Sequence, residues 1–368
     1  MAESRPTLEQ LRVTIDALDV QIHELLNQRA KIAQQVADVK LHSVLEGKEQ
    51  DVRFYRPERE AQVLRKVKER NQGPLPDNAV AHIFREIMSA CLALEKPLSI
   101  AYLGPEGTFT HAAAIKHFGY AAITNPVTTI DQVFAQVQAG EAMYGVVPVE
   151  NSTEGMVSHT LDNFLSSQLK ICGEVELPIH LHLLINKDAQ ASSITKICAH
   201  QQALAQSRTW LDHYWPNVER EAVSSNAQAA KMASEDGSIA AIAGDMAIDL
   251  YGLQKLSENI QDLSGNTTRF IIIGQENVAI SGEDKTSIVV STRNKPGALY
   301  HLLAPFHRES IMLTRIDTRP SRTENWAYVF FIEFDGHRDD EKIKRILSEL
   351  GEHSVLLKVL GSYPKAVI

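Results

Sequence analysis

One group of mostly basic residues in the first hundred positions could bind a small ligand, although each of them, taken alone, is more typical of a solvated helix face. Arg12, Arg29, Lys40, Arg59 and Glu60 punctuate three stretches of helical periodicity. Arginine can grip a carboxylate through two parallel hydrogen bonds, and lysine acts as a point donor. Arg29 and Lys40 share a helix face, about 20° apart, whereas Arg12 lies about 100° from Arg29 and roughly 25 Å along the axis. Arg12 would therefore meet the same ligand only in a dimer.

A second group lies in the stretch from Val147 to Gly155, between an apolar strand-like run and residues with helical spacing. The order Glu150-Asn151-Ser152-Thr153 predicts an N-cap at the start of that helix. The free N–H groups and positive dipole end of a helix start suit an anion. Taken alone, however, the stretch is more typical of an ordinary capped helix after a strand.

The elements that carry these groups divide into regions. Apolar spacing predicts a long helix from Leu8 to about Lys40 and two shorter ones, from Pro57 to about Arg70 and from Asp77 to about Glu95. Three helices of such unequal length leave part of the long one uncovered, so we expect a homodimer or a homotetramer. From Pro97 onward, strands and helices alternate, which predicts open, mainly parallel sheets with ligands at the carboxyl ends of strands.

A third region follows a polar, turn-rich linker from Gly274 to Lys285. Its predicted order is strand, helix, strand, strand, helix, strand, which is the ferredoxin-like α+β pattern. The fold class is therefore multidomain, with expected domains at residues 1–97, 98–275 and 286–368.

Composition excludes several functions. The 368-residue chain has a net charge of −9 and no basic stripe, so we expect no nucleic-acid partner. No apolar run is long enough to span a bilayer, and no signal region opens the sequence, so we expect no membrane association and a cytoplasmic location. The three cysteines have no metal-binding spacing, and neither a G-x-G-x-x-G motif nor a P-loop occurs. We expect no metal and no cofactor.

The helical region, residues 6 to 96, resembles the all-helical chorismate mutase family. The similarity rests on Leu11-Arg12, on Ile15 to Asp19, on Leu25 to Arg29, on Val39-Lys40 and on Tyr55 to Glu60. It implies an intertwined dimer in which Arg12 reaches the partner's site, while Arg29, Lys40, Arg59 and Glu60 act in cis. It also implies rearrangement of chorismate to prephenate, for which orientation and donors aimed at the breaking ether bond suffice.

Three positions depart from that family. Cys91 and Glu95 stand where relatives often have Ser and Gln, and Arg56 stands where some have an acidic residue. A protonated Glu95 would donate to the ether oxygen, whereas an ionised one would repel the developing charge. We therefore assign Lys40 and Glu95 as catalytic residues, and Cys91 as a substrate contact.

The central region, residues 98 to about 275, resembles prephenate dehydratase through four ordered motifs. These are Gly104 to Phe109, Glu150 to Gly155, the helix of Gln206, and Thr267 to Phe270. The resemblance implies a two-lobed α/β domain like periplasmic binding proteins, with Thr268 beside the leaving hydroxyl and Glu150 as a proton source or a structural cap. It implies substrate contacts from Thr108, Asn151, Ser152, Thr153, Gln206, Arg269 and Phe270.

The last region, residues 286 to about 366, resembles an ACT regulatory domain. Asn294, Pro296, Gly297, Ala298 and Leu299 match the amino-acid-binding loop, and Asp317-Thr318 stands where relatives usually have Glu-Ser. The resemblance implies feedback binding of phenylalanine. Together, the three regions predict a chorismate mutase and prephenate dehydratase of phenylalanine biosynthesis. Two alternatives stay open: a dehydratase with a decayed mutase segment, and a two-lobed sensor without turnover.

Overall fold

The computed structural model describes residues 6–45, 53–293, 295–320 and 328–368. Its first region consists of a 38-residue helix and two shorter helices that pack with it. The helices are α1 (Leu8–Leu45), α2 (Pro57–Glu69) and α3 (Asp77–Glu95). Pro57 starts α2, where its missing N–H costs nothing, and Pro76 precedes α3.

The α1 helix leaves most of its apolar side chains exposed within one chain. Leu11, Ile15, Leu18, Ile22 and Leu25 are each 47% exposed or more. Burying such side chains is worth about 1.5–3 kcal/mol each. The described chain therefore leaves a long apolar face on α1 without cover.

The first lobe of the central region is a mixed sheet in the order β2-β1-β3-β11-β5, with β4 paired to β3. Strands β1, β2 and β3 are parallel, but β11 runs antiparallel to both of its neighbours. The elements are β1 (Ser99–Leu103), α4 (Phe109–Phe118), β2 (Ile123–Val127), α5 (Ile130–Ala139), β3 (Tyr144–Asn151), β4 (Gly155–Met156), α6 (Ser158–Ser166) and β5 (Lys170–Pro178).

The second lobe is a five-stranded sheet in the order β10-β6-β9-β7-β8, again mixed. The chain then returns to the first lobe through β11. The elements are β6 (His182–Asn186), a 3-10 turn (Ala191–Ser193), β7 (Lys196–His200), α7 (Gln201–Gln206), α8 (Arg208–Tyr214), β8 (Glu219–Val223), α9 (Asn226–Glu235), β9 (Ile239–Ala243), α10 (Met246–Tyr251), β10 (Leu253–Ser257) and β11 (Thr267–Gly274).

The prediction of mainly parallel sheets is wrong. In the first lobe, β11 runs antiparallel to β3 and β5, and in the second lobe, β6 runs antiparallel to β9 and β10. The helix that carries Gln206 is short, since α7 ends at Gln206 and α8 begins at Arg208, after Ser207. The two-lobed arrangement itself is confirmed.

The third region has the predicted βαββαβ order and a four-stranded antiparallel sheet, β13-β14-β12-β15. Its elements are β12 (Asp284–Ser291), α11 (Ala298–Arg308), β13 (Leu313–Pro320), β14 (Tyr328–Asp335), α12 (Glu341–His353) and β15 (Leu356–Pro364). Strand β13 lies at an edge and alternates, with odd-numbered residues partly buried and even-numbered residues exposed.

Candidate active sites

A cavity of about 520 Å³ opens between the three N-terminal helices. Arg29 and Lys40 of α1, Arg59 and Glu60 of α2, and Cys91 and Glu95 of α3 all line it. Apolar walls of Ile32, Val36, Val63, Met88 and Leu92 complete it. The structure therefore brings six predicted residues from three helices to one pocket. Arg12 is the exception, since it is exposed on α1 and does not line the cavity.

Lys40 is the cation held most firmly inside this pocket. Its Nζ lies 3.2 Å from Glu95 Oε2 and 3.4 Å from the carbonyl oxygen of Phe54, and its side chain is 24% exposed. Glu95 is 10% exposed. The Lys40 ammonium, which is the predicted donor to the substrate's ether oxygen, therefore already contacts the Glu95 carboxyl group.

This contact makes the charge of Glu95 important for the predicted mutase reaction. An ionised Glu95 competes for Lys40 and repels a dianion, whereas the side-chain amide of glutamine is neutral and can donate a hydrogen bond. We expect Glu95→Gln to raise mutase kcat/KM at alkaline pH by about tenfold or more. An unchanged kcat/KM in Glu95→Gln would remove the charge of Glu95 from the mechanism.

Glu60 is the other acidic group of the pocket. Burial raises the pKa of Glu60, and the Arg85 guanidinium opposes that rise. Sequence reasoning missed Arg85, although a signal existed: it lies in the buried stripe Ala81, Arg85, Ser89 of α3, where a charge needs a partner.

A second site lies between the two lobes of the central region. Strands β3 and β11 pair so that Asn151 lies opposite Thr268. Asn151 Nδ2 donates to Thr268 Oγ1 at 2.8 Å and to Asn266 Oδ1 at 2.9 Å. Because the threonine oxygen already accepts this bond, its own O–H is available to donate into the cleft.

The second lobe closes the cleft from the opposite side. Gln206 donates to Thr153 Oγ1 at 3.1 Å and accepts from Asn266 Nδ2 at 3.2 Å. His200 and Asn226 also line the cavity, whose volume is about 70 Å³. The cavity therefore lies between polar side chains of both lobes.

The predicted N-cap at residues 151–153 is wrong. Asn151 ends strand β3, a turn follows, and α6 begins only at Ser158, after Val157. Asn151 Oδ1 accepts from the N–H groups of Thr153 and Glu154, at 3.0 and 3.1 Å, and so shapes the turn instead. Pairing with β11 extends the strand past the polar residues, which overrides their local preference for a cap.

Three further predicted contacts take structural places at the edge of this cleft. Ser152 accepts from the backbone N–H of Thr267 at 3.0 Å, which fixes the turn to β11. Thr153 donates to Asn151 Oδ1 at 2.6 Å and faces Gln206. Thr108 caps α4 by accepting from His111 N at 3.3 Å.

Glu150, Arg269 and Phe270 do not reach the cleft. Successive strand residues point to opposite faces, so Glu150 and Arg269 lie behind Asn151 and Thr268. Arg269 donates to Glu333 of β14 at 2.8 and 2.9 Å and to Glu174 at 3.2 Å. Phe270 is packed in the core of the first lobe. A proton route from Glu150 to Thr268 therefore has no direct contact to support it.

Glu150 instead pairs with Arg315 of β13, which also lies 3.2 Å from Asp317. Asp317 is thus joined through Arg315 to strand β3, directly behind the cleft. Thr318 points to the exposed side of β13. Pro296 and Gly297, with Ala298 and Leu299, form the turn that opens α11, where Gly297 has a φ of 79° that favours glycine. Asn294 lies outside the described residues.

The described part of the chain has no group of three or more His, Cys, Asp or Glu side chains that could hold a metal ion. No helix in residues 6–45, 53–293, 295–320 or 328–368 is long and apolar enough to cross a membrane.

Family comparisons agree with this arrangement of pockets. Chorismate mutase type II matches residues 11–96, prephenate dehydratase matches residues 100–278, and the ACT domain matches residues 286–352. A bifunctional chorismate mutase/prephenate dehydratase of Pseudomonas aeruginosa is 58% identical over 98% of both chains. This chain belongs to the bifunctional chorismate mutase/prephenate dehydratase family.

Solved structures match the part of this bifunctional chain that follows the helices. Prephenate dehydratase of Arthrobacter aurescens in complex with L-Phe is 36% identical, with a TM-score of 0.67, and the match covers 73% of this chain and 90% of that one. A structure described as GqqA, a novel type of quorum quenching acylase, is 27% identical, with a TM-score of 0.66, over 73% of this chain and 98% of that one. The same architecture thus carries a second named activity.

The comparisons confirm the predicted family, the three-part fold class and the two enzyme classes of this chorismate mutase/prephenate dehydratase. The individual roles assigned to site residues stay predictions.

Proposed function

We propose that this chain converts chorismate to prephenate in the helical pocket and prephenate to phenylpyruvate in the two-lobed cleft, as consecutive steps of phenylalanine biosynthesis. The observation that carries this proposal is the presence of both pockets, each lined by the predicted polar residues, in one chain of matching family. A decayed mutase segment is disfavoured because Arg29, Lys40, Arg59 and Glu60 still converge.

The mutase pocket works by orientation and electrostatics. Arg29 and Arg59 bind the substrate carboxylates, and Lys40 donates to the ether oxygen as its bond to carbon breaks. No proton moves in this rearrangement, so a fixed array of donors is sufficient. The apolar walls keep water from competing for those donors.

The dehydratase cleft assists departure of a hydroxyl group. Prephenate loses carbon dioxide and hydroxide as its ring becomes aromatic. The electrons of the broken carbon–carbon bond between the ring and the carboxylate group enter the ring. Thr268 donates a hydrogen bond to the departing oxygen, with its own oxygen held by the Asn151 amide at 2.8 Å. Since Glu150 faces away, water is the proton source that we assign.

The exposed face of α1 supports a homodimer, which could pair further to a tetramer. Covering that face with a second α1 would bury the apolar residues and carry Arg12 to the partner's pocket. We also propose a cytoplasmic location, which three buried free thiols support. The assigned domains are 1–97, 98–275 and 286–368.

Phenylalanine is the proposed effector of the ACT region, with the turn of Pro296 to Leu299 and residues Asp317 and Thr318 as its predicted contacts. A ligand there can bias the cleft through Asp317, Arg315 and Glu150, because Glu150 is adjacent in β3 to Asn151. Inhibition requires that phenylalanine bind the less active state more tightly.

Feedback should therefore depend on Arg315. We expect phenylalanine to inhibit dehydratase turnover of added prephenate in the unmodified chain, and Arg315→Met to raise the concentration needed by about tenfold. Arg345→Met is the matched control. It removes an ion pair between Arg345 of α12 and Glu309, the residue that follows α11. Kinetics of the unmodified chain that do not respond to phenylalanine would refute the regulatory assignment. Equal sensitivity of both variants would refute the route through Arg315.

A further inference from the structure

Arg85 is a buried cation in the contact between the helical region and the first lobe. It is 6% exposed, and its guanidinium reaches the end of α4. A guanidinium removed from water to this extent costs several kcal/mol unless it is paired. The groups that pair with the Arg85 guanidinium therefore indicate its structural role.

The guanidinium joins two different regions of the chain. Its Nη1 donates to the carbonyl oxygens of Lys116 at 3.0 Å and His117 at 2.9 Å, in the last turn of α4. Its Nη2 lies 3.3 Å from Glu60 Oε1. Unpaired carbonyls and the negative dipole end of a helix both favour a cation. Arg85 is thus anchored on the dehydratase side and directed at Glu60.

Glu60 lies at the wall of the mutase pocket, with a side chain that is 15% exposed. A carboxylate is unfavourable beside a dianion unless it accepts a hydrogen bond from a substrate hydroxyl. That role needs an ionised and correctly aimed group. Burial raises the pKa of Glu60, and Arg85 is the charge that opposes the rise.

The other groups around Glu60 do not replace this cation. Tyr55, which precedes α2, has its hydroxyl 3.1 Å from His117 Nε2. Burial raises the pKa of Tyr55 and holds the pKa of His117 well below its usual value, so both stay neutral. Arg59 is exposed at the pocket, and Lys40 is paired with Glu95. Lys365 and Glu174 line a small cavity together with Glu60 and Arg85, but Lys365 is paired with Asp335 and Glu174 with Lys285.

We propose that Arg85 is a positioning residue of the mutase site, which fixes the Glu60 carboxylate toward the substrate by anchoring it to the last turn of α4. The proposal rests on the assignment of Glu60 as a substrate contact. It makes the dehydratase domain a structural part of the mutase site.

The test measures mutase kcat and KM against pH for Arg85→Met, Arg85→Lys, Glu60→Gln and the double variant Arg85→Met/Glu60→Gln. All are made in the full-length Glu95→Gln chain, so that Glu95 does not contribute to the profile. We expect Arg85→Met to lower kcat/KM at neutral pH by about tenfold or more. The activity should recover partly as pH rises, because Glu60 without Arg85 ionises only at higher pH. Arg85→Lys, which keeps the charge, should lie nearer to the parent profile.

The double variant separates positioning from general damage. If Arg85 acts through Glu60, Arg85→Met causes no further loss once Glu60 is Gln. An equal loss in both backgrounds, or an acid limb that does not move in Arg85→Met, would overturn the proposal. Full activity of Glu60→Gln would instead refute the underlying assignment of Glu60, and with it the proposal. Thermal unfolding and dehydratase turnover of each variant report its folding.

Discussion

Thr268→Val is expected to lower dehydratase kcat by about 10²–10³-fold while leaving chorismate mutase activity unchanged. Valine has the shape of threonine but cannot donate to the departing hydroxyl, and it leaves the Asn151 amide without its 2.8 Å acceptor. The mutase pocket shares no residue with the cleft, so its rate is an internal measure of folded enzyme. Dehydratase activity is measured with added prephenate, and mutase activity with chorismate.

Thr267→Val is the matched control for this variant. Thr267 precedes Thr268 in β11, but its hydroxyl lies 3.5 Å from the carbonyl oxygen of Gly265 and the residue does not line the cavity. We expect it to retain dehydratase turnover. Thr268→Ala should behave like Thr268→Val. Turnover within a few-fold of the unmodified enzyme in either Thr268 variant would remove this hydroxyl from the mechanism.

Lys40→Met is expected to produce the opposite pattern, with mutase kcat/KM lower by about 10²–10³-fold and dehydratase turnover of prephenate unchanged. The substitution removes the donor proposed for the ether oxygen, and it also leaves the buried Glu95 without its 3.2 Å partner. Lys40→Met/Glu95→Gln separates the two effects, because it removes the unpaired acid as well. A double variant that recovers most of the activity would assign Lys40 a charge-balancing role only.

The proposed dimer allows a sharper form of the same experiment. If Arg12 serves the partner's pocket, a heterodimer of Arg12→Ala and Lys40→Met chains holds one intact site and one doubly altered site. Mixing two nearly inactive proteins under exchange conditions should then restore about one quarter of the unmodified mutase activity. A mixture no more active than its components would contradict the shared site, while the Lys40 result would still stand.

The residues of the helical pocket were predicted as one site from the family resemblance, whereas helical periodicity predicted only which of them share a helix face. Arg29 and Lys40 lie on one face of a single uninterrupted helix. The exposed apolar face of α1 likewise follows from helix length. The pocket itself depends on contacts between residues distant in sequence, because all three helices line it.

The cleft was harder to predict because strand pairing decides it. The same polar residues, Asn151 to Thr153, can cap a helix or end a strand, and only the pairing with β11 selects the strand. Once β3 extends to Asn151, alternation sends Glu150 and Arg269 to the rear face. Of the residues predicted from the motifs, Asn151, Gln206 and Thr268 line the cleft. Glu150 and Arg269 face the ACT domain.

The two faces of the paired strands β3 and β11 contact different parts of the protein. The front of β3 and β11 presents Asn151 and Thr268 to the cleft, and the rear holds Glu150 and Arg269 against Arg315 and Glu333. A shift of the ACT sheet would act on the same backbone that positions Thr268. The contacts proposed for regulation and the contacts proposed for catalysis therefore lie on opposite faces of one sheet.

The most direct test of the account is to incubate the purified full-length chain with chorismate alone and follow chorismate, prephenate and phenylpyruvate over time. The account predicts that chorismate disappears, prephenate forms, and phenylpyruvate accumulates without any added enzyme, metal or cofactor. Chorismate that stays unchanged while added prephenate is converted would leave only a dehydratase with an inactive helical segment. Failure to convert either substrate would contradict the account as a whole.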